Sequence, residues 1–443
     1  MIARQPQRLP ASTPSPRRPI RVLVVDDSAI VRKLVREALE RAGDIEVVGV
    51  APDPVIARDK LIALKPDVMT LDVEMPKLDG ISFLKAVMAH QPLPVIILSS
   101  ITQEGSAKAL EALSAGAIDV LAKPGTAYSV GDLESTIVER VRAAGRAVFR
   151  PRLSPAATLR GQPTPAPVTA GAPRPAAPPA WPLEAPRAAP PARLGLTATP
   201  APAPSPVRSP PPATGPAPSR ALGEARATPA PSHPRPARVA VTSGSAIPDA
   251  TFAPGQIVAI GASTGGTEAL AQVISRLPAN CPPTVVVQHI HPAFVASFAA
   301  RLDAGSKTTV KVAVDGERLE PGQVRIAPGD VHLVVERAGL GYRTVLRNGP
   351  KVCHQRPAAD VLMHSVAAAA KNAAVGVLLT GMGTDGADGL LAMRRAGART
   401  AAQNEETCVV FGMPREALAN GAAEEAVALD RIAGHIVGLL KKA

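Results

Sequence analysis

Aromatic residues are scarce in this chain of 443 residues: they make up 2% of it, although 46% of the residues are hydrophobic. Proteins that bind single-stranded nucleic acid stack the bases on aromatic side chains, so this composition argues against such a surface. The chain has only three cysteines, Cys281, Cys353 and Cys408, and their spacing is not that of a metal site. Few and scattered cysteines favour a reducing compartment.

Long apolar runs are also missing. No stretch reaches the roughly 20 apolar residues that a membrane-spanning helix needs. The first 20 residues contain no apolar core of the kind that secretory signals have. We therefore expect a cytoplasmic protein that does not insert into a membrane.

Positive charge and proline are concentrated in two segments. Of the net charge of +12, residues 1–20 carry +4 and residues 151–250 carry +7, so the rest of the chain is nearly neutral. Residues 151–250 also hold 27 of the 49 prolines, in stretches with neither helical nor strand periodicity. Such segments bury too little surface to offset chain entropy. We predict a disordered basic tail over 1–19 and a disordered Pro/Ala/Arg-rich linker over 149–253.

Two blocks, 20–148 and 254–443, flank the predicted linker. In both, short apolar runs alternate with amphipathic stretches, a pattern typical of βαβ units and a parallel sheet. Within the second block, residues 309–347 have period-two character with glycine-containing turns, which predicts an antiparallel hairpin added to the parallel core. The predicted fold class is α/β, with two doubly wound parallel-sheet domains: a flavodoxin-like one and a Rossmann-like one.

Polar residues follow the predicted strands of the first block. Asp26 and Asp27 come after RVLVV, Asp72 ends PDVMTL, and Ser99 and Lys123 follow two later strands. Since ligands of parallel sheets lie beyond the carboxyl ends of the strands, these side chains should converge. Clustered carboxylates repel one another unless a bound cation such as Mg²⁺ offsets their charge. Asp72, in the middle, is the best nucleophile toward a phosphoryl donor.

The segments RVLVVDDSAIVRKLVREAL, DVMTLDVEMPKLDGISFL, LPVIILSS and AIDVLAKPG resemble the receiver domain of bacterial response regulators. The resemblance implies phosphorylation of Asp72 by a histidine kinase, with Ser99 as the switch hydroxyl and Lys123 as the phosphoryl-binding lysine. It also implies a Mg²⁺ ion, whose site comprises Asp27, Asp72, the backbone of Glu74, and Asp26 in support. Val120 stands where many receivers carry an aromatic switch residue.

A glycine-rich turn, Gly261 to Gly266, follows the first strand of the second block. A dinucleotide-binding turn would have glycine where Ser263 stands, and an acid at the end of the second strand, where Gln288 and His289 stand instead. The turn fits a nucleophile elbow better, with Ser263 between a strand and a helix.

Two further residues at predicted strand ends complete a possible triad. His289 could serve as general base and Asp385 could orient its imidazole ring. The chain order Ser, His, Asp disfavours an α/β-hydrolase fold. Spacing alone does not exclude four rival bases: His291, His332, His354 and His364.

The segments IGASTGGTEAL, VVVQHI, IAPGDVHL, ADVLMHSVA, LLTGMGTDGADGLLAM and QNEETCVVFGMPREA resemble the catalytic domain of the chemotaxis protein-glutamate methylesterase (CheB-type) family. The resemblance implies that Ser263 is the nucleophile, His289 the base and Asp385 its orienting carboxylate. It further implies that the Met382 backbone N–H is an oxyanion donor and that Thr264 helps to position His289.

This resemblance implies a phosphorylation-activated enzyme that demethylates glutamates and deamidates glutamines of chemoreceptor cytoplasmic domains. Its kinase would be of the CheA type, Mg²⁺ would serve only the receiver, and ester hydrolysis would need no cofactor. In this family the unphosphorylated receiver covers the catalytic cleft. We expect the long linker to weaken that inhibition, because effective concentration falls with linker length.

Two other classes of function remain open from the sequence. One is a phosphorylation-controlled receptor-binding module with an inactive serine site. The other is a DNA-binding regulator that uses the basic linker; it lacks a helix-turn-helix candidate, so no nucleic-acid partner is expected.

Overall fold

The computed structural model of the protein describes residues 18–75, 79–123, 130–146, 247 and 250–440. Residues 1–17 of the predicted basic tail and nearly all of the predicted linker lie outside these described residues. In the described part of the chain, no helix is both long and apolar enough to cross a membrane.

Strands and helices alternate along the first described block. They are β1 (Ile20–Val25), α1 (Ala29–Arg41), β2 (Ile45–Ala51), α2 (Pro54–Leu64), β3 (Val68–Asp72), α3 (Gly80–His90), β4 (Val95–Ser99), α4 (Gln103–Ser114), β5 (Asp119–Ala122) and α5 (Val130–Arg146).

The five strands form one parallel sheet in the order β2-β1-β3-β4-β5. Polar residues just before the helices start them: Ser28, Asp53 and Thr102 accept backbone N–H groups of α1, α2 and α4. The strand order reverses between β1 and β3, so a crevice opens at their carboxyl ends. Asp26 and Asp72 lie at that crevice.

The second described block repeats this alternation and adds antiparallel strands. Its elements are β6 (Ile257–Ala262), α6 (Gly266–Ile274), β7 (Thr284–Gln288), α7 (Pro292–Gly305), β8 (Thr309–Val312), β9 (Arg318–Leu319), β10 (Gln323–Ile326), β11 (His332–Ala338), β12 (Gly341–Arg347), α8 (Ala359–Ala370), β13 (Ala374–Leu378), α9 (Ala387–Arg395), β14 (Arg399–Gln403), α10 (Met413–Ala419), β15 (Glu425–Val427) and α11 (Leu429–Leu440).

Seven of these strands form a parallel sheet in the order β15-β14-β13-β6-β7-β10-β8. The central strands β6, β7 and β13 are fully buried, as expected for a sheet covered by helices on both faces. Strand β7, the next strand in the chain, lies on one side of β6, and the later strand β13 lies on its other side. The switch point therefore lies between β6 and β13. The predicted fold class, two parallel-sheet α/β domains, is confirmed.

The prediction for residues 309–347 is correct only in part. Strands β11 and β12 form the antiparallel hairpin, and β9 extends it to three strands. Strands β8 and β10, however, pair in parallel and belong to the large sheet. Alternation does not reveal strand direction: β8 is an edge strand, and its outward side chains are exposed whichever way it runs.

Candidate active site

The carboxylates of Asp26, Asp27 and Asp72 form an acidic cluster at the first switch point, with one oxygen of each residue within 4.8 Å of the other two. Asp26 and Asp72 are fully buried, whereas Asp27 is exposed. Lys123, which follows β5, places its Nζ atom 3.0 Å from Asp26 Oδ2 and 2.7 Å from Asp72 Oδ2. The predicted phosphorylation site and its lysine are thus in contact.

Burial dominates the protonation of this cluster. It raises the pKa of Asp72 to about 6, although Lys123 and the N–H of Glu74 favour the ionised form. Burial also raises the pKa of Asp26, against the attraction of Lys123. A bound cation would oppose this effect by stabilising the ionised carboxylates.

The residues of the cluster fit Mg²⁺. Asp26 Oδ2 and Asp72 Oδ2 are buried and lack an aligned hydrogen-bond donor, even though both form ion pairs with Lys123. Oxygen atoms left without donors are suitable ligands for a hard divalent cation. These two carboxylates, exposed Asp27 and the backbone of Glu74 would hold the ion.

Two other predicted receiver residues lie close to the cluster. The Glu74 N–H donates to Asp72 Oδ1 at 2.8 Å, while its carboxylate accepts from the N–H and hydroxyl of Ser100 at 2.6 and 2.7 Å. The buried hydroxyl of Ser99 donates to the Gly105 carbonyl at 2.9 Å. Ser99 is therefore bonded to helix α4 in this state.

Ser263 lies in the tight turn between β6 and α6 and is 2% exposed. The turn requires glycine at position 265, which has a φ of 76° and where a Cβ would lie 2.6 Å from Val409 Cβ. Gly381, in the loop after β13, packs so closely that a Cβ there would lie 2.8 Å from Ser263 Cβ. The serine is thus held between two of the loops at the switch point.

His289 follows β7, and its backbone N–H donates to the carbonyl of Ala262, the residue before Ser263. Its Nε2 lies 2.7 Å from Asp385 Oδ2, and both residues are buried. Asp385 lies in the loop between β13 and α9. The structure therefore brings the predicted base and its predicted carboxylate into direct contact, with Nε2 facing the carboxylate.

The N-terminus of α8 holds the Asp385 carboxylate. Oδ2 accepts the Ala359 N–H at 2.7 Å, and Oδ1 accepts the Asp360 N–H at 3.0 Å. Burial tends to raise the pKa of Asp385, but the hydrogen bond and charge of His289 and these two N–H groups bring it below its usual range. Asp385 is therefore ionised at neutral pH, as a carboxylate that orients an imidazole must be.

Ser263 is not bonded to His289 in this state. Its Oγ accepts a hydrogen bond from Arg140 Nη1 at 3.0 Å, and no hydrogen bond among the described residues joins it to His289. The hydroxyl of Thr264 accepts from Arg140 at 2.5 Å and donates to Asp119 Oδ2 at 2.8 Å. The contact with His289 that the resemblance implies for Thr264 is therefore not among the hydrogen bonds of the described chain.

Met382 lies between Gly381 and Asp385 in the loop after β13. Neighbouring polar groups of this loop are engaged: the Gly381 N–H donates to Val410, and the Gly381 carbonyl accepts from Gly412 and Met413. The Met382 N–H has no acceptor among the described residues. A free N–H at this place fits the oxyanion donor that the resemblance implies.

The structure separates His289 from its rivals. His291 caps helix α7, and His332 lies between the Ala358 N–H and the Pro350 carbonyl. His364 pairs with exposed Asp388, and His354 is exposed in a loop. His289, in contrast, is paired with the buried carboxylate of Asp385.

Arg140 and Asp119 are two residues of the site that were not predicted from sequence. Both belong to the first block, on α5 and β5, and both are buried against the turn that carries Ser263. An arginine in an amphipathic helix, 123 residues before its partner, gives no local signal.

Known proteins match both blocks. A family model described as "CheB methylesterase" matches residues 258–436, and one described as "Response regulator receiver domain" matches residues 22–130. "Protein-glutamate methylesterase/protein-glutamine glutaminase 2" of Syntrophus aciditrophicus is 42% identical over 422 residues, which cover 95% of this chain and 99% of that protein. The chain belongs to the protein-glutamate methylesterase/protein-glutamine glutaminase family. The resemblances stated from sequence are thereby confirmed.

Other members of the methylesterase/glutaminase family match over a similar length. One is enzyme 4 of Anaeromyxobacter dehalogenans, which is 42% identical over 434 residues, or 98% of each chain. Among solved structures, the crystal structure of the Thermotoga maritima CheB methylesterase catalytic domain is 41% identical. The match covers 42% of this chain and 100% of the Thermotoga maritima chain, with a TM-score of 0.41.

Proposed function

We propose that this family member is a phosphorylation-activated serine hydrolase of chemoreceptors. It removes methyl esters from receptor glutamates and deamidates specific receptor glutamines, the activities that the names of its relatives give to those proteins. The main support is the buried His289–Asp385 pair, bonded through its backbone to the residue before Ser263. That pair provides an oriented base next to a hydroxyl at a switch point.

In the active state, His289 Nδ1 takes the proton of Ser263, because Asp385 occupies Nε2. Ser263 Oγ forms a bond to the ester carbonyl carbon, and the Met382 N–H stabilises the resulting oxyanion. The tetrahedral intermediate then collapses. Methoxide leaves with the proton from His289 as methanol, and the receptor glutamyl group remains esterified to Ser263.

A water molecule completes the cycle. His289 accepts a proton from the water, the hydroxide attacks the acyl carbon, and the bond to Ser263 breaks as the serine regains its proton. The product is a receptor glutamate carboxylate. With a glutamine substrate the same steps release ammonia in place of methanol, and the amide reacts more slowly because its leaving group is poorer.

The receiver acts as the phosphorylation switch. The Asp72 carboxylate attacks the phosphorus of a phosphohistidine on a CheA-type kinase, and the bond from phosphorus to the kinase imidazole breaks. Lys123, already 2.7 Å from Asp72, neutralises charge on the transferred group. Mg²⁺, when bound at the acidic cluster, supplies further charge neutralisation to the phosphoryl oxygens. The proposed location of these reactions is the cytoplasm.

Methanol release from a methylated chemoreceptor, with and without a phosphodonor, tests the proposal. We expect the phosphodonor to accelerate the wild-type protein. Ser263→Ala should bind the receptor but release no methanol, because the hydroxyl that forms the acyl-enzyme is removed. Asp72→Asn should keep the unstimulated rate and lose the acceleration.

Two results would contradict the proposal. Methanol release by Ser263→Ala at the wild-type rate would exclude Ser263 as the nucleophile. Receptor binding by the phosphorylated wild-type protein without any methanol release would instead support a binding module with an inactive serine.

A further inference from the structure

The contact between Arg140 and Ser263 joins a receiver side chain to the proposed nucleophile. Arg140 lies on α5, is 8% exposed, and donates from Nη1 to Ser263 Oγ at 3.0 Å and to Thr264 Oγ1 at 2.5 Å. A guanidinium is always protonated at physiological pH and is a strong hydrogen-bond donor. The nucleophile therefore faces a buried positive charge from the other domain.

Strand β5 of the receiver holds this arginine in place. Asp119, the first residue of β5, lies 3.3 Å from Arg140 Nη1 and accepts the Thr264 hydroxyl at 2.8 Å. The carbonyl of Ile118, one residue earlier, accepts the Gly265 N–H at 3.0 Å. Three consecutive residues of the serine turn, 263 to 265, are thus hydrogen-bonded to the receiver.

These contacts affect the chemistry of the serine as well as access to it. Attack requires the Ser263 hydroxyl to point its proton at His289, and that hydrogen bond does not occur among the described residues in this state. Attack also converts His289 into an imidazolium, and a guanidinium bonded to the neighbouring hydroxyl opposes that second positive charge.

We infer that Arg140 is an inhibitory clamp: its guanidinium binds the nucleophilic hydroxyl and so keeps Ser263 unreactive, in addition to any covering of the cleft by the receiver. The inference rests on the proposed function, since it assumes that Ser263 is the nucleophile. It assigns the chemical part of the inhibition to one side chain.

Two features of the structure allow the contact between Arg140 and Ser263 to be released. Arg140 Nε is buried without a hydrogen-bond partner, and one carboxylate, Asp119, provides the countercharge. The burial of the guanidinium is therefore only partly compensated. Asp119 begins the four-residue strand β5, and Lys123, which binds Asp72, directly follows its end. When phosphorylation of Asp72 changes the partner of Lys123, the change occurs at the carboxyl end of β5, and Asp119 lies at the opposite end of that strand.

The test is the rate at which a fluorophosphonate probe labels Ser263 in the full-length, unphosphorylated protein. Arg140→Met removes the guanidinium but keeps an unbranched apolar stem in its place, so we expect the cleft to stay covered. The matched control is Arg142→Met, on the same helix, whose guanidinium bonds to Asp44 and Ala42 within the receiver. The hydrodynamic radius of each variant reports whether the domains remain docked.

We expect Arg140→Met to label about tenfold faster than wild type, as for the loss of one charge-assisted hydrogen bond. Its radius should be unchanged, and Arg142→Met should label like wild type. Labelling of Arg140→Met at the wild-type rate would show that coverage alone inhibits, and would overturn the clamp. Faster labelling of both variants with a larger radius would overturn it too, because domain separation would then be the cause.

A separate result would test the underlying function. If the wild-type protein is not labelled at Ser263 even after treatment with a phosphodonor, the nucleophile itself is wrong. That failure is distinguishable from failure of the clamp, which leaves the phosphodonor-treated wild type reactive.

Discussion

Replacing Asp385 with asparagine changes one carboxylate oxygen of the proposed triad into an amide nitrogen. Three donors face this carboxylate: the Ala359 N–H and His289 Nε2 at Oδ2, and the Asp360 N–H at Oδ1. An asparagine side chain has only one acceptor oxygen. Its NH₂ group must therefore take the place of either Oδ1 or Oδ2, where it faces a donor instead of accepting from it. Both orientations of the amide are therefore unfavourable.

The two orientations fail for different reasons. If the amide oxygen stays near His289, the NH₂ group faces the Asp360 N–H, and a buried donor is left unpaired at a cost of about 1–3 kcal/mol. If the amide is flipped, the Ala359 N–H is left unpaired in the same way, but the NH₂ group gains an acceptor because it donates to His289 Nε2. The proton of the imidazole then lies on Nδ1, and the base that Ser263 needs is lost.

We expect the flipped orientation to dominate and kcat to fall roughly 10³- to 10⁴-fold, the effect known for the wrong histidine tautomer in serine proteases. That loss corresponds to about 4 to 5.5 kcal/mol of transition-state stabilisation. The assay is methanol release from methylated receptor in the presence of a phosphodonor. Asp388→Asn is the matched control, because this nearby aspartate is exposed and pairs with His364.

If folded Asp385→Asn retained more than about a tenth of wild-type activity, the tautomer of His289 would not control the rate, since a wrong tautomer costs far more than that. A large loss in Asp388→Asn as well would show that the loop, rather than the carboxylate, controls the rate.

Three further predictions concern the acidic cluster, the serine turn and the cysteines. Because burial raises the pKa of Asp72 from 3.8 to about 6, its ionised form destabilises the fold above that pH and the penalty is lost as pH falls toward 3.8. In EDTA, Asp72→Asn should therefore raise stability by about 3 kcal/mol at pH 8 and about half of that at pH 5; equal gains in thermal unfolding at both would contradict this. Gly265→Ala should cost about 1–3 kcal/mol more in denaturant unfolding than Gly383→Ala, because both have positive φ but only the first Cβ meets a neighbour within 4 Å; equal costs would contradict this. Iodoacetamide at pH 8 should modify exposed Cys353 and leave buried Cys281, whose pKa is raised to about 12, unmodified by mass spectrometry; modification of Cys281 in the native protein would be the opposite result.

Much of the fold could be predicted from sequence because the alternation of apolar runs and amphipathic stretches is strong in both blocks. The direction of β8 and β10 could not be predicted. Residues in a parallel edge strand alternate in the same way as residues in a hairpin, and β10 pairs with β7, which lies in an earlier part of the chain outside residues 309–347. Periodicity reports which side chains are buried, not which strand lies next to them.

The residues of the candidate site could also be predicted from sequence only in part. Ser263, His289 and Asp385 were predicted because each follows an apolar strand, and the carboxyl ends of parallel strands share one edge. Spacing alone left the choice among the histidines open, and the family resemblance implied His289. The structure shows that His291, His332 and His364 are engaged elsewhere.

Arg140 could not be predicted at all. Its partner lies 123 residues away, across the predicted linker, and nothing in an amphipathic helix distinguishes it from a surface arginine. The expectation that the long linker weakens inhibition stays a prediction.

The central claim is that Ser263 carries the receptor glutamyl group during turnover. Mass spectrometry of a reaction with methylated receptor, quenched in acid in the presence of a phosphodonor, tests it most directly. The account predicts a receptor glutamyl ester on the peptide that contains Ser263, and its absence in Ser263→Ala. Rapid methanol release by both proteins, with no adduct on that peptide, would contradict it.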